Sequence, residues 1–150
     1  MNGLALPYSD VPLPLIEQYQ LNRYVYDRGG EREIRFMRQA PNAMLLIRED
    51  GQLRIVSWGC KNGKLPRTGF TWLSTVEAGK WVIYHARPVV IPAVLGLHNG
   101  IWFKIQEGVR GLVAEAGSTT SAYIIVEPAS YYYKIMTRAT RMPVLIGERI

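Results

Sequence analysis

Apolar and polar positions in this chain alternate more often than they recur at helical spacing. Over residues 43–47, Ala43, Leu45 and Ile47 fall on one face, the period-two pattern of a half-buried strand. Asp50-Gly51 comes next, a pair that accepts positive φ and favours a two-residue hairpin. The return strand is predicted over residues 52–58, with Leu53 and Ile55 on a shared face. Residues 61–69, KNGKLPRTG, contain Asn-Gly and Leu-Pro steps and read as loop. Residues 75–86 predict a short helix capped by Thr75, with Val76, Val82 and Ile83 on one side. The near-continuous apolar run 89–95 predicts a buried strand. His98-Asn99-Gly100 reads as a turn, and strands are predicted over 101–106, 109–114 and 121–126. Pro128 is placed to open a helix over 129–136, and 142–146 closes as a strand. The first twenty residues hold Pro7, Pro12 and Pro14 and predict an irregular arm laid over the domain.

No period repeats and no linker divides the chain, so residues 1–150 are expected to form a single domain. The order hairpin, helix, several strands, helix, strand predicts an α+β fold dominated by antiparallel sheet, with two or so short helices. The N-terminal stretch lacks a basic segment followed by an apolar run, and so does not read as a secretory signal. The longest apolar stretch, residues 89–97, contains Pro92 and Gly96 and is too short to span a bilayer. The expectation is a cytoplasmic protein without a membrane partner.

Candidate chemistry narrows the picture by elimination. Cys60 is the one cysteine, which leaves no internal disulfide and no cysteine-based zinc site. His85 and His98 have no acidic or cysteine neighbours at metal-ligand spacing, so neither a metal nor a cofactor is expected. As a nucleophile Cys60 would need a base held in reach and a group orienting that base, and neither histidine has a context suggesting it. The acidic pairs Glu31/Glu33 and Glu49/Asp50 sit among basic residues and read as solvated charge. Phosphate-loop, dinucleotide and serine-hydrolase motifs do not occur in the sequence. No catalytic residue is assigned, and a binding domain is expected rather than an enzyme.

Charge supplies the positive evidence. The net charge is +6 with a pI near 9.6, which favours a polyanionic partner. Residues 51–76 contain no acid but carry Arg54, Lys61, Lys64 and Arg67, and residues 128–147 contain no acid but carry Lys134, Arg138 and Arg141. Trp58 and Trp72 bracket Lys61, Lys64 and Arg67, and Tyr131, Tyr132 and Tyr133 precede the cations of the second segment. Cations neutralise phosphates and aromatic faces stack on unpaired bases, so this interleaving suits single-stranded nucleic acid. The candidate contacts are Trp58, Lys61, Lys64, Arg67, Trp72, Lys134, Arg138 and Arg141. The plainer alternative makes the aromatics core and the cations a solvated rim. A helix over Tyr131–Tyr133 would turn at least one ring inward.

The C-terminal segment AYIIVEPASYYYKIMTRATRMPVLI resembles the closing block of the SRAP family, the SOS response-associated peptidases that process abasic sites. Arg141-Met142-Pro143-Val144-Leu145 matches the tail of that family's His-x-Arg-Met-Pro-Val signature. Ala40-Pro41, the hairpin ending in Trp58-Gly59, Thr75-Val76-Glu77 and Val90-Ile91-Pro92-Ala93 resemble further family blocks in the same order. The resemblance implies a strongly bent, barrel-like sheet with a core over residues 33–148, and it places Arg141 beside bound DNA. The family's chemistry uses a cysteine after the initiator methionine, an asparagine in Asn-Ala-Arg, a glutamate after the Pro-Ala strand, and a histidine before Arg-Met-Pro. Here those places hold Asn2, the stretch Thr71-Trp72-Leu73, the acid-free run Val94-Leu95-Gly96-Leu97-His98, and Ala139-Thr140. The resemblance therefore implies a chemically silent member that binds DNA, single-stranded or junction, of a kind that would suit a phage or prophage gene. A protein-interaction module reusing the scaffold, such as a phage factor acting on a host protein, is the second reading. Residual abasic-site processing is the third.

Overall fold

A computed structural model describes residues 1–147 of the chain, so residue 148 of the expected core lies outside the described residues. The elements in order are β1 (Gly3–Pro7), α1 (Leu13–Gln18), β2 (Val25–Arg28), β3 (Glu31–Met37), β4 (Met44–Glu49), β5 (Gln52–Trp58), β6 (Phe70–Trp72), α2 (Leu73–Glu77), β7 (Arg87–Ile91), β8 (Leu95–His98), β9 (Ile101–Lys104), β10 (Val109–Ala116), β11 (Thr119–Pro128), α3 (Tyr131–Thr137) and β12 (Arg141–Pro143). Short 3-10 turns lie at Tyr8–Asp10, Leu21–Tyr24 and Val82–Tyr84.

The strands make two sheets. One has the order β2-β3-β1-β8-β9 and is antiparallel throughout. In the other, β10 pairs with both β7 and β11, while β4 pairs with both β7 and β5. The β5–β11 pairing closes that circuit of five strands into a barrel. β6 and β12 flank the far half of β11, in register at Val126 with Trp72 and Pro143. Among the described residues, only β11–β5 and β11–β6 are parallel. The fold is thus α+β, a bent and mostly antiparallel sheet structure with three short helices.

Hairpin chemistry sets these pairings. Asp50 and Gly51 both take left-handed backbone (φ 52° and 76°), as do Asn99 and Gly100 (φ 49° and 79°), the geometry whose twist matches the strands it joins. The core runs between the sheets and includes Leu4, Leu6, Ile34, Leu45, Ile47, Ile124 and Tyr133. β4 is buried on both faces, with Leu46 as enclosed as Leu45 and Ile47, because it lies inside the closed circuit rather than on a half-solvated sheet.

Several expected elements are corrected. The first twenty residues are not an irregular arm: β1 is the central strand of its sheet, with Leu4 and Leu6 buried and Pro7 ending it. Pro12 and Pro14 then stand at the start of α1, where a missing N–H costs nothing. The helix expected over 75–86 is cut to α2 followed by a 3-10 turn, since Gly79 leaves helical backbone at φ 76°. The run 89–95 is divided between β7 and β8 around Pro92-Ala93, which lets the chain leave one sheet for the other. Pro128 ends β11, and Ser130 caps α3 by accepting from the Tyr133 N–H at 3.2 Å. No helix among the described residues is long and apolar enough to cross a membrane.

Candidate nucleic-acid interface

Because β1 lies between β3 and β8, the first residues reach the end of the sheet where β8 turns into β9. Asn2 fixes that end from three sides. Its N–H donates to the Leu97 carbonyl (2.7 Å), its carbonyl accepts from the Arg38 N–H (2.8 Å), and its side-chain oxygen accepts from the Asn99 N–H (3.0 Å). Met1 is thereby buried, with its amine 3.0 Å from His98 Nε2. His98 Nδ1 lies 2.7 Å from the hydroxyl of Tyr133, whose ring packs edge-on against Phe103. α3 is also tied to this end, since Asn99 Nδ2 donates to the Thr137 carbonyl at 2.9 Å.

The electrostatics of this corner follow from burial beside a cation. Burial, with the Arg141 charge adding to it, brings the Met1 amine down to about 5. Burial, the amine and Arg141 together bring His98 down to about 4. Burial holds the Tyr133 phenol well above its ordinary range. At neutral pH the amine, imidazole and phenol form an uncharged hydrogen-bonded row, and Arg141 carries the local charge.

From Arg141 a line of aromatic and guanidinium contacts runs across the β6 end of the sheet. The Arg141 guanidinium lies over the Phe70 ring at 5.0 Å, and Phe70 meets Trp58 edge-on at 5.8 Å. Arg38 lies over Trp58 at 5.9 Å and donates to the Arg67 carbonyl at 3.4 Å. Gly69 makes this packing feasible: a Cβ there would meet Arg38 Nε at 2.5 Å and Trp58 Nε1 at 2.7 Å. The two basic segments therefore approach one another along this line, through the Arg67 carbonyl on one side and the Arg141 guanidinium on the other.

The predicted contacts fare unevenly. Trp72 is 41% exposed, and Lys61, Lys64, Arg67, Lys134 and Arg138 are all exposed. Arg141 is half-buried. Trp58 is corrected: at 2% exposure, with its indole N–H donating to the Gly69 carbonyl, it has no free face for a base and belongs to the core. The Arg67 guanidinium folds back over Gly63, where an added Cβ would meet its Nη2 at 3.1 Å, so its charge lies with Lys61 and Lys64, near where Asn62 Nδ2 donates to Thr119 Oγ1 at 2.9 Å. Tyr133 is the ring turned inward, leaving Tyr131 (80%) and Tyr132 (63%) outside.

No family model, curated protein or solved structure matches the chain.

The distribution of ion pairs separates two kinds of cation. Arg28 and Arg35 share Glu33, and Arg54 and Arg87 share Glu49 and Glu115. Among the described residues, none of these pairs involves Arg38, Lys61, Lys64, Arg67, Lys134, Arg138 or Arg141. Arg28, Arg35, Arg54 and Arg87 are thus neutralised within the fold, while those seven cations carry no ion pair among the described residues.

Sequence reasoning missed Arg38, His98 and Tyr133. For Arg38 a signal exists, since residues 34–48 form a third acid-free stretch. For His98 and Tyr133 none does, because only the packing of α3 against the end of β8 brings them together. Cys60 is 3% exposed and its thiol donates to Asn62 Oδ1 at 2.9 Å. No imidazole or carboxylate hydrogen-bonds to it among the described residues. No group of three His, Cys, Asp or Glu side chains there is placed to hold a metal ion.

Proposed function

We propose that the chain is a non-catalytic, cytoplasmic DNA-binding domain of SRAP type that takes single-stranded or junction DNA. The observation that carries this reading is the half-buried Arg141, without an ion-pair partner among the described residues, at the point where Met1, His98 and Phe70 converge. A half-buried guanidinium without an ion pair is free to take an anionic partner, and a phosphate supplies one with geometry that a guanidinium matches. Arg38, over the Trp58 ring, extends the charge along that line, and Arg67 and Arg138 are assigned as further phosphate contacts. Trp72, Tyr131 and Tyr132 offer open ring faces for unpaired bases. Arg141→Ala is expected to weaken single-stranded DNA binding and to flatten its salt dependence by about one phosphate's worth. Unchanged affinity and slope would remove Arg141 from the interface.

One observation favours a second reading, residual abasic-site processing. In this chain the neutral Met1 amine is hydrogen-bonded to His98 and lies near Arg141. An unprotonated amine adds to the aldehyde of an abasic site, forming a carbon–nitrogen bond and releasing water as the imine closes. Borohydride reduction of a mixture with abasic DNA tests it. A reduced adduct on Met1 supports this reading, and its absence leaves DNA binding without chemistry.

A further inference from the structure

A groove lined by none of the proposed DNA contacts runs along β7 and β10, beside the 3-10 turn Val82–Tyr84. One half is an apolar cleft of about 290 Å³, floored by Leu112 and Ile125 and walled by Val76, Trp81 and Val82. The other half opens to about 580 Å³ and is bordered by Arg48, Val90 and Arg110. Pro88 and Arg110 line both halves, which makes them one groove. The apolar half has a fixed wall. Trp81 Nε1 donates to Thr71 Oγ1 at 2.8 Å, and its ring tilts against Tyr123 at 4.6 Å and Tyr84 at 5.4 Å. The turn that follows is closed by bonds from the Tyr84 N–H to the Trp81 carbonyl (3.1 Å) and from the His85 N–H to the Val82 carbonyl (3.0 Å). It ends in left-handed backbone at His85 (φ 51°), uncommon for a residue with a side chain. Val82 and Ile83 are thereby held out at 71% and 75% exposure beside the cleft, apolar surface that a partner would take out of water.

The wider half is charged. Strand register sets Arg48 and Arg110 on either side of Val90, roughly 10 Å apart at two strand spacings. Both are exposed, and neither takes part in an ion pair among the described residues. Glu49 is held by Arg87 at 2.7 and 3.1 Å. That leaves Asp50 on this side against two guanidiniums, with Asp10 and Glu107 in a separate hollow beyond Arg48.

We propose that this groove docks an acidic segment of another protein, whose apolar side chain fills the cleft between Trp81 and Val82 and whose carboxylates meet Arg110 and Arg48. An anionic partner suits the two unpaired cations, and the net charge of +6 opposes pairing with a second copy of the chain. A phosphate backbone would meet the cations but leave the cleft unfilled. The inference does not rest on DNA binding, since the groove shares no residue with that interface.

Fluorescence anisotropy on the whole chain tests it with short labelled peptides. One carries a leucine-phenylalanine pair beside a run of aspartates, a second replaces the pair with alanines, and a third replaces the aspartates with lysines. The first is expected to bind about tenfold more tightly than either control. Ile83→Ser should weaken that binding about tenfold through lost apolar burial. Arg110→Glu should weaken it about fivefold, more at low salt than at high. Both side chains are exposed, so thermal melts should match the native chain; should one variant fail to fold, the other and the peptide controls decide. Equal binding of the peptides, or equal binding of the first to native and variant chains, overturns the proposal. So does displacement of the peptide by single-stranded DNA, which would give the groove to nucleic acid. A concentration-dependent dimer that Ile83→Ser abolishes would likewise overturn it, in favour of a second copy.

Discussion

The amine of Met1 and Nε2 of His98 lie 3.0 Å apart, buried, and neither is charged at neutral pH. The amine falls from 8.0 to about 5 on folding and His98 from 6.5 to about 4. Between those values the unfolded chain binds protons that the folded chain refuses, so stability rises with pH through this window. Acidification from pH 8 to pH 4 is therefore expected to cost the 150-residue chain on the order of 3 kcal/mol through this pair. Urea unfolding at a series of pH values measures it. His98→Asn should shallow the pH dependence, and an equal slope in that variant would remove the pair as its source.

Glu33 gives a second stability prediction. Its carboxylate is buried, and it accepts from Arg28 at 2.7 and 3.0 Å and from Arg35 at 2.7 Å. Burial pushes the carboxyl up, but the hydrogen bonds from Arg28 and Arg35 outweigh it and hold it below the usual carboxylate range. Its contribution is present above the unfolded value near 4.5 and is lost as pH falls below it. Glu33→Gln should cost about 2 kcal/mol at neutral pH, less than a fully buried pair because both guanidiniums remain partly hydrated. DNA binding should be little changed, since this ion-paired group stands apart from the proposed contacts.

The two tryptophans of the first basic segment should behave in opposite ways. Trp58→Ala removes a 2% exposed core ring and a hydrogen bond to Gly69, and should destabilise by about 3–5 kcal/mol. Trp72→Ala removes a 41% exposed ring. It should leave the unfolding midpoint nearly unchanged while weakening single-stranded DNA binding by about 1–3 kcal/mol. Thermal melts beside a binding titration separate the two, and unaltered binding in Trp72→Ala would deny it a stacking role.

Close packing around Gly96 offers a test of the sheet itself. A Cβ at this position would come within 2.6 Å of the Phe103 ring. Gly96→Ala should lower stability by about 1–3 kcal/mol through overpacking, with Phe103→Leu in the same background recovering part of it.

Much of the barrel was legible in the sequence because its signals are local. The Asp50-Gly51 turn, the 52–58 strand, the 61–69 loop and the His98-Asn99-Gly100 turn each depend on neighbours a few residues apart. β1 was not legible: three prolines masked a five-residue strand whose burial comes from β3 and β8, far along the chain. The helix after Thr75 failed for the converse reason, since one left-handed glycine outweighed a weak apolar face. At the site, charge patterning located the exposed cations but could not distinguish Trp58 from Trp72, because burial is set by Gly69 and Phe70 packing. The row from Met1 through His98 to Tyr133 joins residues 97 and 35 positions apart and left no sequence pattern.

The most direct measurement is binding of the chain to fluorescent single-stranded DNA, with and without an abasic site, across a salt titration, followed by a denaturing gel. DNA binding through the unpaired cations predicts affinity that falls with a log–log slope of about −3 or steeper, and no covalent band on the gel. A covalent band with abasic DNA would contradict the chemically silent reading. Absence of binding at low salt would contradict DNA recognition and turn attention to Tyr131, Tyr132 and Ile135 as a protein-docking ridge.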